Sequence, residues 1–169
     1  GAAARPFITH HNELDQDMYL RISFELYLKR LLVGNLEKVY ELGRDFRNEG
    51  VSYKHNPEFT MLEFYWAYAD YLQVMDLTEQ MMVFVLDHVL GKRQVTYGSQ
   101  EVDFTPPWRR LELRQGLLEA SGIDIAAHPT ADSLRRAILQ TGKQPDPAAT
   151  RGKLIDFLLS EFLEPTLIQ

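Results

Sequence analysis

The segment from Phe59 to Tyr68 limits most strictly what this chain can fold into. Side chains alternate faces along a strand, so Phe59, Met61, Glu63, Tyr65 and Ala67 share one face, and Thr60, Leu62, Phe64, Trp66 and Tyr68 share the other. Glu63 is the exception in this apolar pattern. A carboxylate among aromatic and aliphatic neighbours is costly to bury as an ion unless a cation meets it or the face lines a wet pocket. Both conditions describe a ligand site. Upstream, Lys38 to Glu49 reads as an extended segment and Gly50 to Pro57 as a loop, which predicts an antiparallel pair with a long connection. Provided the two segments pair in register, Arg47, Glu49, Phe59, Glu63 and Tyr65 stand on one surface. That surface offers a guanidinium for a phosphate, a ring for a base, and a carboxylate with a phenol for a cationic group.

Each of these residues also has a plain structural reading. Arg47 with Glu49 suits a surface charge pair, and Phe59, Tyr65 and Trp66 suit core aromatics, the role kept here for Trp66. His10, His11 and His55 have no second cluster at zinc-ligand spacing, so no metal site is expected from them, and His88 reads as structural. Lys29-Arg30 and Arg109-Arg110 read as solvated charge.

Around this segment the pattern is mixed. Tyr19 to Ser23 reads as a short strand, and Ser23 as the cap of a helix from Phe24 to about Leu32, closed by Gly34. Asp70 with Gln73 forms a capping-box signature for a long apolar helix that Gly91 closes, and this helix is expected to be largely buried. Val95 to Tyr97 and Val102 to Phe104 suggest a hairpin around Gly98-Ser99, ended by Pro106-Pro107. Helical patterns follow near Glu112 to Ala120, Asp132 to Leu139 and Gly152 to Leu163, with Pro145 and Pro147 in the loop between the last two. The expected fold class is α+β, an antiparallel sheet flanked by helices.

Composition narrows the function. With 169 residues, 45% of them hydrophobic, the chain can bury one sizeable core. The absence of cysteine removes disulfides, thiolate nucleophiles and cysteine-based zinc sites. No stretch approaches the roughly 20 apolar residues of a membrane span, and a cytoplasmic protein without membrane contact is expected. A net charge of -6 argues against gripping a nucleic-acid backbone by charge alone, and no DNA contact is expected.

At Phe46 to Tyr71 the run FRNEGVSYKHNPEFTMLEFYWAYADY resembles motif 2 of class II aminoacyl-tRNA synthetases in its lysyl-specific form. Gly1 to Gly34 is similar to the stretch between motifs 1 and 2 of bacterial-type lysyl enzymes. The resemblance weakens from about Phe104 to Thr150 and resumes at FLEPTLIQ. It implies one partial catalytic domain: 1–104 as the motif 2 core region, 105–150 as a helical insertion, and 151–169 as a helix and the start of a cut strand.

Carried over by position, the resemblance implies that Arg47 is the catalytic group, contacting the ATP α-phosphate and the lysine carboxylate. It implies ATP binding by Arg47, Glu49, His55, Asn56 and Phe59, and lysine binding by Gly1, Glu25, Glu63 and Tyr65. The implied reaction makes lysyl-adenylate and pyrophosphate, then passes the lysyl group to tRNA(Lys). It needs no protein nucleophile, because positioning and charge stabilisation by Arg47 and Mg2+ carry it. Glu25 has an equal structural reading, as a carboxylate in the first turn of a helix.

Two positions depart from the family pattern: Ser23-Phe24 stands where Ala-Pro is frequent, and Lys54 where arginine is common. No motif 1 or glycine-rich motif 3 is present, and the Mg2+ ligands are expected outside this chain. Both ends are therefore expected to be cut, leaving open sheet edges and a piece that does not aminoacylate, whose full-length parent is a homodimer. Two rivals remain at this point, a non-catalytic synthetase-like binding module and a paralogue that lysylates a protein.

Overall fold

A computed structural model of the chain describes residues 4–52 and 55–167. The chain divides into two compact units, Gly1–Val74 and Met75–Gln169. The described strands form three separate antiparallel pairs, so the expected α+β class holds, with short strand pairs in place of one continuous sheet.

In the first unit, β1 (Ile8–His11) pairs with β2 (Gln16–Tyr19) across a turn in which Asp15 takes a φ of 46°. The expected strand at Tyr19 to Ser23 thus ends at Tyr19. Beyond it the backbone bonds singly: the Leu20 N–H donates to the Phe7 carbonyl at 3.0 Å, and the Arg21 carbonyl accepts from the Phe46 N–H at 2.8 Å. Helix α1 (Glu25–Val33) then starts where the Ser23 hydroxyl accepts the Glu25 N–H at 3.1 Å. At its far end the left-handed residue is Asn35, φ 68°, while Gly34 keeps a negative φ. Asn tolerates that conformation because its short polar side chain can bond locally.

Strands β3 (Lys38–Phe46) and β4 (Glu58–Trp66) pair along their whole length. Glu41 faces Glu63, Asp45 faces Phe59 and Val39 faces Tyr65. The odd-numbered face is the one α1 covers: Phe24 at its start is fully buried, and its ring lies under Gly43. A Cβ at Gly43 would stand 2.6 Å from the Arg21 guanidinium and 3.3 Å from the Phe24 ring, so a side chain there would require Arg21 to shift and the Phe24 ring to give. The even-numbered face carries Tyr40, Leu42 and Leu62 exposed.

Helix α2 (Tyr71–Val89) begins with the expected capping box. The Asp70 N–H donates to Gln73 Oε1 and the Gln73 N–H to Asp70 Oδ1, each at 3.0 Å. It closes at Gly91, φ 65°. The expectation that α2 is largely buried is not met. Leu86 alone among its described residues is buried, and Phe84 and Val89 are 61% and 72% exposed, because little else in the described chain covers its apolar sides.

The second unit holds the hairpin of β5 (Gln94–Tyr97) and β6 (Gln100–Asp103), turning at Gly98 with φ 62°. Three helices follow: α3 (Leu113–Ser121), α4 (Ala131–Gln140) and α5 (Arg151–Leu158), the last continuing into a π-helical turn over Leu159–Leu163. Glu112, Thr130 and Thr150 cap them by accepting N–H groups of the first turn. Leu117, Leu134, Ile138, Leu154 and Leu158 are fully buried and form one core. Among the described residues no helix is long and apolar enough to cross a membrane.

Candidate active site

The register of β3 and β4 places Phe59, Glu63 and Tyr65 on the odd-numbered face, and two neighbouring groups of candidate residues form around them. The first surrounds Glu63. Its Oε1 accepts from the Ser23 hydroxyl at 3.1 Å and its Oε2 from the Tyr65 phenol at 3.3 Å. Burial, and then the charge of Glu63, push the Tyr65 phenol above its usual range, so it stays protonated and donates. The neighbouring ion pairs go elsewhere, Arg21 to Glu41 and Asp45, Lys29 to Glu25, and Arg44 to Glu58. Among the described residues Glu63 has no cationic partner, which leaves an oriented, half-buried carboxylate able to receive one.

The second group is a concavity of about 440 Å³ lined by Arg47, Glu49, Gly50, His55, Asn56, Pro57 and Phe59. Pairing continues past the end of β3, with the Arg47 N–H donating to the Pro57 carbonyl at 2.8 Å. This keeps Arg47 on the face of Phe59. The guanidinium lies 5.1 Å from the centre of the Phe59 ring, and its Nε donates to the Ile22 carbonyl at 3.4 Å. The alternative of an Arg47–Glu49 charge pair is not what the structure contains, for no described carboxylate lies within ion-pair distance of Arg47. His55 bonds to Ser52 at 2.8 Å across the isolated bridge that closes the loop.

Glu25 stands in the first turn of α1, paired with Lys29, and that bond holds its carboxyl below the usual range. Lys29 also lies 5.9 Å from the centre of the Tyr65 ring, so Glu25 reaches the edge of the cation group through a partner already engaged. Gly1 and Lys54, which the resemblance places near the lysine main chain and the triphosphate, lie outside the described residues.

Sequence reasoning missed Asp45, Arg21 and the second bond of Ser23. Asp45 is fully buried, and neither of its oxygens accepts a hydrogen bond among the described residues. The Arg21 Nε lies 3.7 Å from Oδ1. Burial pushes the Asp45 carboxyl up, Arg21 opposes the shift, and Glu63 adds to it. Arg21 stacks on the Phe24 ring at 4.1 Å, pairs with Glu41 and bonds the Arg44 carbonyl at 2.8 Å, crossing the face above Gly43. The available signal was alternation: Glu41, Gly43, Asp45 and Arg47 share a parity. Among the described residues no group of three or more histidine, aspartate or glutamate side chains is arranged to hold a metal ion.

The chain matches known proteins along its full length. It is 56% identical over 169 residues to a lysine–tRNA ligase of Moorella thermoacetica, covering all of this chain and 35% of that protein. To the lysine–tRNA ligases of Dehalococcoides mccartyi (strain ATCC BAA-2266) and Syntrophomonas wolfei it is 53% and 50% identical over 169 residues, covering 34% of each. The chain thus spans about a third of the length of the curated relatives it matches. The sequence model of the tRNA synthetases class II (D, K and N) matches residues 1–142, and the chain belongs to that family.

Proposed function

We propose that the protein containing this chain is a lysine–tRNA ligase, and that these residues supply part of its lysine and ATP site. The observation that carries the reading is the single face holding both groups, a cation-receptive carboxylate at Glu63 and a concavity shared by all five candidate nucleotide residues. Glu63 and Tyr65 receive the side-chain ammonium of lysine. Glu25 lies toward its α-amino group. The Phe59 ring stacks on adenine, while Glu49, His55 and Asn56 border the base and the phosphates.

Arg47 stands where the two substrates meet. Its guanidinium has no carboxylate at ion-pair distance among the described residues and neutralises the phosphoryl oxygens instead, while the lysine carboxylate attacks the α-phosphorus and pyrophosphate leaves. A terminal tRNA hydroxyl then attacks the lysyl carbonyl of the adenylate, and AMP leaves. No side chain need act as nucleophile, since rate comes from orientation and charge. The charge neutralisation these residues supply is that of Arg47; magnesium, a second subunit and the remaining contacts to tRNA(Lys) belong to the whole protein, acting in the cytoplasm.

The test is lysine-dependent ATP–pyrophosphate exchange by the protein at its full natural length and by the 169 residues alone. Exchange by the full-length protein that falls about a hundredfold or more in Arg47→Ala is the expected outcome. No exchange by the full-length protein overturns the reading and favours a binding module without turnover. Exchange without transfer to tRNA points to a different acceptor.

A further inference from the structure

Ser23 is bonded on both sides of its hydroxyl. The oxygen accepts the Glu25 N–H at 3.1 Å, which commits the hydroxyl hydrogen outward, and it points to Glu63 Oε1 at 3.1 Å. The Tyr65 phenol holds the other oxygen, Oε2, at 3.3 Å. Each oxygen of the carboxylate is therefore tied by one hydroxyl, one from the start of α1 and one from β4. Together they fix the plane of the carboxylate and leave its remaining lone pairs for an incoming ammonium. A glutamate held by Tyr65 alone would keep freedom about its terminal torsion, where the preference is broad.

We infer that Ser23 is a positioning residue for the substrate cation. It acts through Glu63, setting the direction of the carboxylate that receives the lysine side chain. This rests on the ligase reading above and adds to it a residue without contact to the substrate. Because the same hydroxyl anchors the first N–H of α1, lysine affinity is coupled to the position of that helix over the sheet. Alanine at this position loses both bonds, and threonine keeps both.

The experiment is lysine-dependent ATP–pyrophosphate exchange by the full-length protein, comparing wild type, Ser23→Ala and Ser23→Thr with lysine and ATP varied separately. Because Ser23 acts on the cation only through Glu63, its loss is expected to have the size of an ordinary hydrogen bond: a lysine KM raised about three- to tenfold in Ser23→Ala, an ATP KM within twofold of wild type, and recovery of most of the lysine KM in Ser23→Thr. A merely structural role would move both KM values or only the melting temperature. An unchanged lysine KM in Ser23→Ala, or equal rises for lysine and ATP, overturns the inference while leaving the ligase reading in place. Absence of exchange in the wild type overturns the ligase reading, and this inference with it.

Discussion

The two units use side chains in opposite ways. In Met75–Gln169 the helices α3 to α5 bury leucine and isoleucine completely around one another, and their polar side chains cap helix ends or pair at the surface. Among the described residues of Gly1–Val74 the fully buried side chains are Phe24 and Asp45, and the covered sheet face sets Glu41, Asp45 and Glu63 among Val39, Gly43, Phe59, Met61 and Tyr65. A face that carries three carboxylates cannot be packed as a core of aliphatic carbon is. Its order comes instead from hydroxyls and guanidinium groups that hold carboxylates in place. The lesson is that bulk packing and chemistry are segregated along this chain, with cooperative apolar burial in one unit and a sparsely covered polar face in the other.

The sharpest way to break the comparison is Leu134→Ala in the full-length protein. Removing a fully buried side chain of the helical core is expected to cost about 2–5 kcal/mol in urea unfolding, with the lysine KM unmoved while the protein is folded. A shifted lysine KM would break the comparison. Next in size is Gly43→Ala, where the new methyl must displace Arg21 or the Phe24 ring; a loss of about 1–3 kcal/mol is expected, with weakened exchange, and a neutral result would mean that Arg21 does not cross the face as described.

Asp45→Asn tests the buried carboxylate. Its folded pKa is raised above the ordinary aspartate value, so its contribution to stability is present below that value and is lost as pH rises through the folded pKa. The amide is therefore expected to raise the melting temperature at pH 7 relative to wild type, with the gain shrinking toward pH 4. A gain that grows on acidification would reverse the assigned sign. The smallest effect is expected at the exposed pair in the second unit, where the Arg114 guanidinium and then the Ala126 N–H hold the Asp124 carboxyl down to about 2. A depressed pKa contributes stability above the unfolded value that is lost as pH falls through the folded value. Asp124→Asn should lower the melting temperature slightly at pH 7, with the deficit shrinking as pH falls through about 2.

Much of this was legible because it is local. The Asp70–Gln73 box, the Gly98 turn, the Gly91 stop and the helices at Leu113, Ala131 and Arg151 follow from residues a few positions apart. The parity of Arg47, Phe59, Glu63 and Tyr65 needed only the period of a strand. What escaped reading joins distant positions. Ser23 reads as a helix cap until Glu63 arrives from forty residues away, and nothing near Asp45 in the chain marks it as buried, since its ion-pair neighbour Arg21 comes from before α1. The exposed sides of α2 escaped for the converse reason: hydrophobicity states what a helix can bury, not whether a covering surface exists.

By itself the sequence determined the α+β class, the strand parity that gathers the candidate residues, the family resemblance and the exclusion of cysteine chemistry. These depend on backbone period, turn chemistry and residue identity, which act over short range. Only the tertiary structure decided that Arg47 lines the concavity beside Phe59 with no carboxylate at ion-pair distance among the described residues, that Glu63 is tied by two hydroxyls from different parts of the chain, and that Arg21 crosses above Gly43. Pairing register and helix placement choose which charges meet. Whether a carboxylate is neutralised or left open to a ligand is therefore settled by distances that no linear pattern contains.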